Sequence, residues 1–111
     1  MRAAIIRRYG RPEVLEIGEV EAPTPGPTQL LVRMRASSVN PVDCGIRSGA
    51  LRLFIPQRLP KVLGIDYAGV VEAVGEQVEG FAVGDEVFGF VDIRTGGAYA
   101  EYAVVEASTA A

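Results

Sequence analysis

The 111-residue chain has no histidine and a single cysteine, Cys44. One cysteine cannot close an internal disulfide or form a cysteine cluster with metal-ligand spacing, so a reducing cytoplasm is the expected location. No apolar run approaches the roughly 20 residues of a membrane-spanning helix. The short run Ala3 to Ile6 is broken at once by Arg7 and Arg8, which is unlike a signal peptide, and no membrane partner is expected. Basic runs are equally scarce. None exceeds Arg7-Arg8, and no aromatics interleave with the arginines, which argues against nucleic acid as a partner. Internal repeats, low-complexity tracts and heptads are missing too.

What remains is apolar and punctuated by turns. Hydrophobic residues make up 49% of the chain, enough for one core in a single domain spanning residues 1–111. The formal net charge of -3 conceals an uneven distribution: residues 1–61 carry ten Lys and Arg against five acids, residues 62–111 one against nine. Such a bias can attract an anionic ligand, but solvated faces explain it more simply.

Strand-like alternation dominates. Strands are predicted at Arg2 to Arg7, Val14 to Val20, Leu30 to Ala36, Tyr67 to Val74, Glu86 to Val91 and Ala98 to Val105. In the clearest, Leu30, Val32, Met34 and Ala36 share one face, while Leu31, Arg33 and Arg35 share the other, as in a sheet with one wet side. The prolines of Ala22-Pro23-Thr24-Pro25-Gly26-Pro27 lack amide hydrogens and mark an exposed connection. One helix is signalled: Asn40 at the N-cap, Pro41 at the first position, Asp43 at the third, and Gly49 to end it. The expected class is mainly β, a partly open β-barrel with one or two short helices.

Glycine-rich phosphate motifs fail on inspection. Gly64 to Gly69 has P-loop spacing, but Val70-Val71 stands where Lys-Ser/Thr is needed, and Gly75 to Gly80 lacks the middle glycine of a dinucleotide fingerprint. Neither precedes a helical pattern. These glycines read as turn and bulge residues, with Gly75 ending a strand and Gly84 in a tight turn.

The stretch Gly64-Ile65-Asp66-Tyr67-Ala68-Gly69 through Val87 resembles the signature region of the medium-chain dehydrogenase/reductase superfamily. In that superfamily a GroES-like catalytic domain precedes a Rossmann domain. Val39-Asn40-Pro41-Val42-Asp43, Ile46-Arg47-Ser48-Gly49 and Gly96-Gly97-Ala98-Tyr99-Ala100-Glu101-Tyr102 are similar to NADPH-dependent quinone oxidoreductases related to ζ-crystallin. The resemblance covers Met1 to about Ser108. It implies a GroES-like fold and hydride transfer from NADPH to a quinone or α,β-unsaturated carbonyl, with most of the cofactor held by a Rossmann domain that this chain lacks. The 111-residue chain alone is then expected to be inactive.

Within the superfamily, zinc-dependent alcohol dehydrogenases carry a cysteine at the start of the segment matching Asn40 to Asp43, and a His-Glu pair after the glycine matching Gly64. Asn40, Ile65 and Asp66 occupy those places here, so no metal site is expected. The resemblance places Asn40 beside nicotinamide and ribose, with Asp43 and Arg47 as cofactor-binding neighbours. N-capping alone also explains Asn40, and a helix-terminus pair also explains Asp43 and Arg47. Arg52 and Phe54, in an apolar loop, are candidates for the substrate cleft, or for a loop covering the core. Gly45 departs from the pattern, because several family members carry an aromatic residue there. Asp66, flanked by Ile65 and Tyr67, requires a hydrogen-bond or ionic partner if it is buried. Tyr99 and Tyr102 read as packing residues and Cys44 as a small packed side chain. No catalytic residue is assigned. A homodimer through an exposed docking face is compatible with the sequence. So are two other functions: a non-catalytic GroES-like binding or interaction module, and an enoyl reductase module of a larger synthase.

Overall fold

The computed structural model describes all residues, Met1–Ala111. Its seven strands form two antiparallel sheets. One sheet has the order β2-β1-β4, built from β1 (Arg2–Ile6), β2 (Leu15–Glu19) and β4 (Lys61–Val62). The other has the order β6-β5-β3-β7, from β3 (Gln29–Ala36), β5 (Asp66–Val74), β6 (Glu86–Phe90) and β7 (Tyr102–Glu106). The single α-helix, α1 (Pro41–Ser48), lies in the connection between β3 and β4. The protein is mainly β, as the alternation predicts, and the two sheets do not close into one barrel.

Alternation along β3 sets the larger sheet in register. Leu30 and Val32 are fully buried and stand opposite Val74 and Val71 of β5, and opposite Val105 and Ala103 of β7. Leu30, Val32, Val71 and Val105 form the main core with Ile65, Tyr67, Val87, Val91 and Ala98. Each fully buried aliphatic side chain contributes about 1.5–3 kcal/mol. A smaller cluster of Ile6, Ile46 and Leu63 packs α1 against β1, with Tyr9, Leu51 and Tyr99 around it.

Two predicted strands differ from the observed ones for identifiable reasons. Pro12 opens a 3-10 turn over Pro12–Val14, closed by the Val14 amide on the Arg11 carbonyl at 3.0 Å, so β2 begins only at Leu15. The predicted strand from Ala98 begins at Tyr102, because Ala98 to Glu101 divide their hydrogen bonds among several segments. Ala98 donates to Gly64 (3.1 Å), Tyr99 donates to Leu63 (2.9 Å) and accepts from Ala4 (2.7 Å), and Glu101 accepts from Met34 (2.8 Å). This strap ties the two sheets together and holds Tyr99 over the N-terminal end of α1. The remaining strand ends shift by a residue or so. Gly84 has φ +96° in the turn before β6.

Candidate functional site

The helix signals in Asn40-Pro41-Val42-Asp43 act as local chemistry requires. Pro41 takes the first helical position, and the Asp43 carboxylate accepts the Asn40 backbone N–H at 2.8 Å. Gly49 adopts φ +86° and ends the helix, with its N–H on the Ile46 carbonyl. The Asn40 side chain reaches beyond the helix: its Nδ2 donates to Asp66 Oδ2 at 2.9 Å.

Asp66 is the hub of the surrounding polar network. Ser38 Oγ donates to the same Oδ2 at 2.5 Å, and Ser37 Oγ donates to the Asp66 backbone carbonyl at 2.6 Å. The link from β3 to α1 is therefore pinned to the first residue of β5 by three side chains. Hydrogen bonds from Asn40, then Ser38, hold the Asp66 carboxyl below the ordinary aspartate range and outweigh slight desolvation. The requirement that Asp66 find partners is met, although the residue is only half-buried.

Tyr99 caps this network from the strap. Its hydroxyl donates to the Ser38 carbonyl at 3.0 Å while its ring packs on the smaller cluster. Burial, followed by the negative charge of Asp43, pushes its phenol well above the usual value. Asp43 is 4% exposed, and its Oδ1 is buried without a hydrogen-bond partner. The strap reaches this position because residue 64 is glycine. At φ +106°, a Cβ there would come within 2.5 Å of the Tyr99 backbone nitrogen.

Of the cofactor-side candidates, Asn40 and Asp43 come together with Asp66. Arg47 lies at the other end of α1, where its guanidinium donates to the Gly10 carbonyl at 2.5 Å and the Gly10 amide returns a bond to the Arg47 carbonyl. Arg47 thus anchors the loop after β1 and does not pair with Asp43. Arg52 and Phe54 lie in the turn after α1, with Phe54 79% exposed. Leu51 occupies the space beside Gly45, where a Cβ would come within 2.9 Å of its Cδ1. Cys44 is exposed, where packing had been expected. No three His, Cys, Asp or Glu side chains gather closely enough to hold a metal ion. The larger concavities lie elsewhere; one of about 470 Å³ is lined by Thr28, Phe81 and Glu106, among others. The Asn40–Asp66 network faces open surface. Ser38 escaped the sequence reading because its partner is 28 residues away.

The pattern of residues 26–111 matches the alcohol dehydrogenase GroES-like domain. The chain belongs to that family. Members similar to it include a quinone oxidoreductase of Lama guanicoe, 45% identical over 105 residues, which cover 94% of this chain and 31% of the relative. A solved NAD-dependent alcohol dehydrogenase superposes with TM-score 0.91 at 37% identity, covering 100% of this chain and 39% of the other. The Escherichia coli quinone oxidoreductase complexed with NADPH superposes with TM-score 0.88 at 32% identity, covering 100% and 32%. The chain thus spans about a third of the length of the quinone oxidoreductases, and its family is one of oxidoreductases. No helix is long and apolar enough to cross a membrane.

Proposed function

We propose that residues 1–111 are the GroES-like catalytic domain of an NADPH-dependent reductase that transfers hydride to a quinone or α,β-unsaturated carbonyl without zinc. The observation that carries this reading is the bond between Asn40 and Asp66. Where zinc-dependent relatives place a thiolate, this chain has the amide of Asn40, engaged with the Asp66 carboxylate, and where they place an imidazole it has Ile65, which offers no donor atom. The donor set does not fit zinc. The similarity to quinone oxidoreductases, one of them solved with NADPH, supports the same reading.

NADPH, when bound, supplies the hydride. The chain's part is to orient and to exclude water. Asn40 offers an amide on the open face, its backbone fixed by Asp43 and its side chain by Asp66. Arg47 uses one of its five N–H donors on Gly10 and retains the rest for a cofactor. These groups suit the hydroxyl and amide parts of a dinucleotide. Arg52 and Phe54 form the substrate-side wall, where an exposed aromatic suits a planar conjugated acceptor. Conjugation already spreads the negative charge that develops on such an acceptor, so no Lewis acid is required. The cytoplasm, with its reduced nicotinamide pool, is the compartment that fits. Phe88 and Phe90, each 63% exposed, are among the exposed apolar residues available to a homodimer.

The test is NADPH oxidation with a 1,4-quinone or an enone, followed spectrophotometrically in the full-length protein that contains this chain. Turnover that persists after dialysis against a chelator supports the reading. Turnover that requires zinc refutes it.

A further inference from the structure

The fold gathers much of the basic bias of the first half around the C-terminal end of α1. Residues 7–16 and 44–60 together carry six arginines against two acids. The two segments are packed together. The Gly10 amide donates to the Arg47 carbonyl at 3.0 Å, the Gln57 amide donates to the Tyr9 hydroxyl at 3.1 Å, and a Cβ on Gly49 would stand 3.0 Å from the Tyr9 side chain. Only Arg7 finds an acid, Glu16 at 2.7 Å; Arg8, Arg11, Arg47, Arg52 and Arg58 form no ion pair. The second acid, Glu13, is exposed.

The same loop exposes apolar side chains. Its turn is closed by the Phe54 and Ile55 amides on the Leu51 carbonyl, at 3.0 and 2.7 Å. Leu51 and Leu59 turn inward onto the smaller cluster and so anchor the turn on both sides. Leu53 and Phe54 turn outward, 87% and 79% exposed, more than any other large apolar residue in the chain. We propose that this loop is a membrane-contact site: Leu53 and Phe54 enter the interface of an anionic phospholipid bilayer, and the arginines around them bind its phosphates. On the reductase reading, the wall formed by Arg52 and Phe54 then takes a lipid-soluble quinone directly from the bilayer.

Charge and size decide the occupant. A second copy placed symmetrically on this face would set the same unpaired arginines against each other. A stable protein partner needs about 800 Å² on each side, and a tip of two side chains supplies little of that. A bilayer asks less: bulky apolar residues that sink to the headgroup boundary, and cations spread around them that meet the negative surface. The expectation of no membrane partner rested on the lack of a spanning segment, which surface contact does not need.

The experiment sediments the full-length protein containing this chain with vesicles of phosphatidylcholine, with and without phosphatidylglycerol. Binding is expected only with the anionic lipid and is expected to weaken as salt rises. Arg58→Gln is expected to weaken it about fivefold and Leu53→Ser about tenfold, both with unchanged melting temperature. Three results overturn the proposal: no binding, equal binding to neutral vesicles, or variants that alter the protein's self-association without vesicles while leaving vesicle binding intact. The supply of quinone is read separately. Leu53→Ser is expected to lower kcat/KM for a long-chain quinone held in vesicles and to spare a short water-soluble quinone; an equal loss on both overturns delivery from the bilayer. Vesicle binding by a protein that reduces no quinone would sink the reductase reading and leave the contact standing, whereas turnover without vesicle binding would sink the contact alone.

Discussion

Asp66 and Tyr99 carry the clearest consequences at the scale of single residues. The folded-state pKa of Asp66 lies below its ordinary value of 3.8, so its ionised form contributes its full stability above that pH. The contribution is lost as pH falls from there through the folded value. Melting temperatures of wild type and Asp66→Asn are therefore expected to differ most above pH 3.8 and to draw together as the pH falls below it. Tyr99→Phe removes the hydroxyl's bond to the Ser38 carbonyl but keeps the packed ring. A loss of about 1 kcal/mol is expected, seen as a fall of about 4–8 °C in calorimetry. The phenol's raised pKa means that wild type also loses stability as pH rises past about 10, a loss Tyr99→Phe lacks. Asn40, Asp43 and the need of Asp66 for partners were legible because each follows from a side chain and its immediate neighbours. Ser38 and the reach of Tyr99 were not, since their contacts span 28 and 61 residues.

The elements divide along the same line. Helix α1 could be read from the chain because caps depend on residues within four positions: Pro41, Asp43 and Gly49 act where the sequence places them. The strap over Ala98 to Glu101 could not, because its apolar and aromatic residues look like any strand and only the fold divides its hydrogen bonds. The strap's dependence on Gly64 is testable. Gly64→Ala forces an L residue to φ +106° and drives Cβ against the Tyr99 backbone, so a cost of about 1–3 kcal/mol or more is expected in denaturant unfolding. The same variant is expected to disturb the Asn40 and Asp66 resonances, since Tyr99 sits over them. Leu30→Ala, in the central strand, opens a cavity in the main core and is expected to cost about 2–5 kcal/mol without moving those resonances. Should Leu30→Ala disturb the site as strongly as Gly64→Ala, the strap would not be what positions it.

Across the whole molecule, the polar network opens onto surface and is not enclosed by this chain. Such a face can orient part of a cofactor but cannot keep water from a hydride in transit. Accordingly, the 111-residue chain is expected to show no turnover and no saturable low-micromolar NADPH binding by calorimetry. Tight binding by the isolated chain would contradict that division of labour. The mainly β class was readable because alternation along Leu30 to Arg35 is a direct imprint of a half-buried sheet. The separation into two sheets was not, because it depends on which distant strands pair. The central claim is that the open face performs reduction with an amide and a carboxylate where relatives use a metal. Metal content and NADPH-quinone turnover measured on one chelator-dialysed preparation of the full-length protein test it most directly. The account predicts zinc far below stoichiometry with full activity retained; stoichiometric zinc whose removal abolishes turnover and whose return restores it would contradict the account.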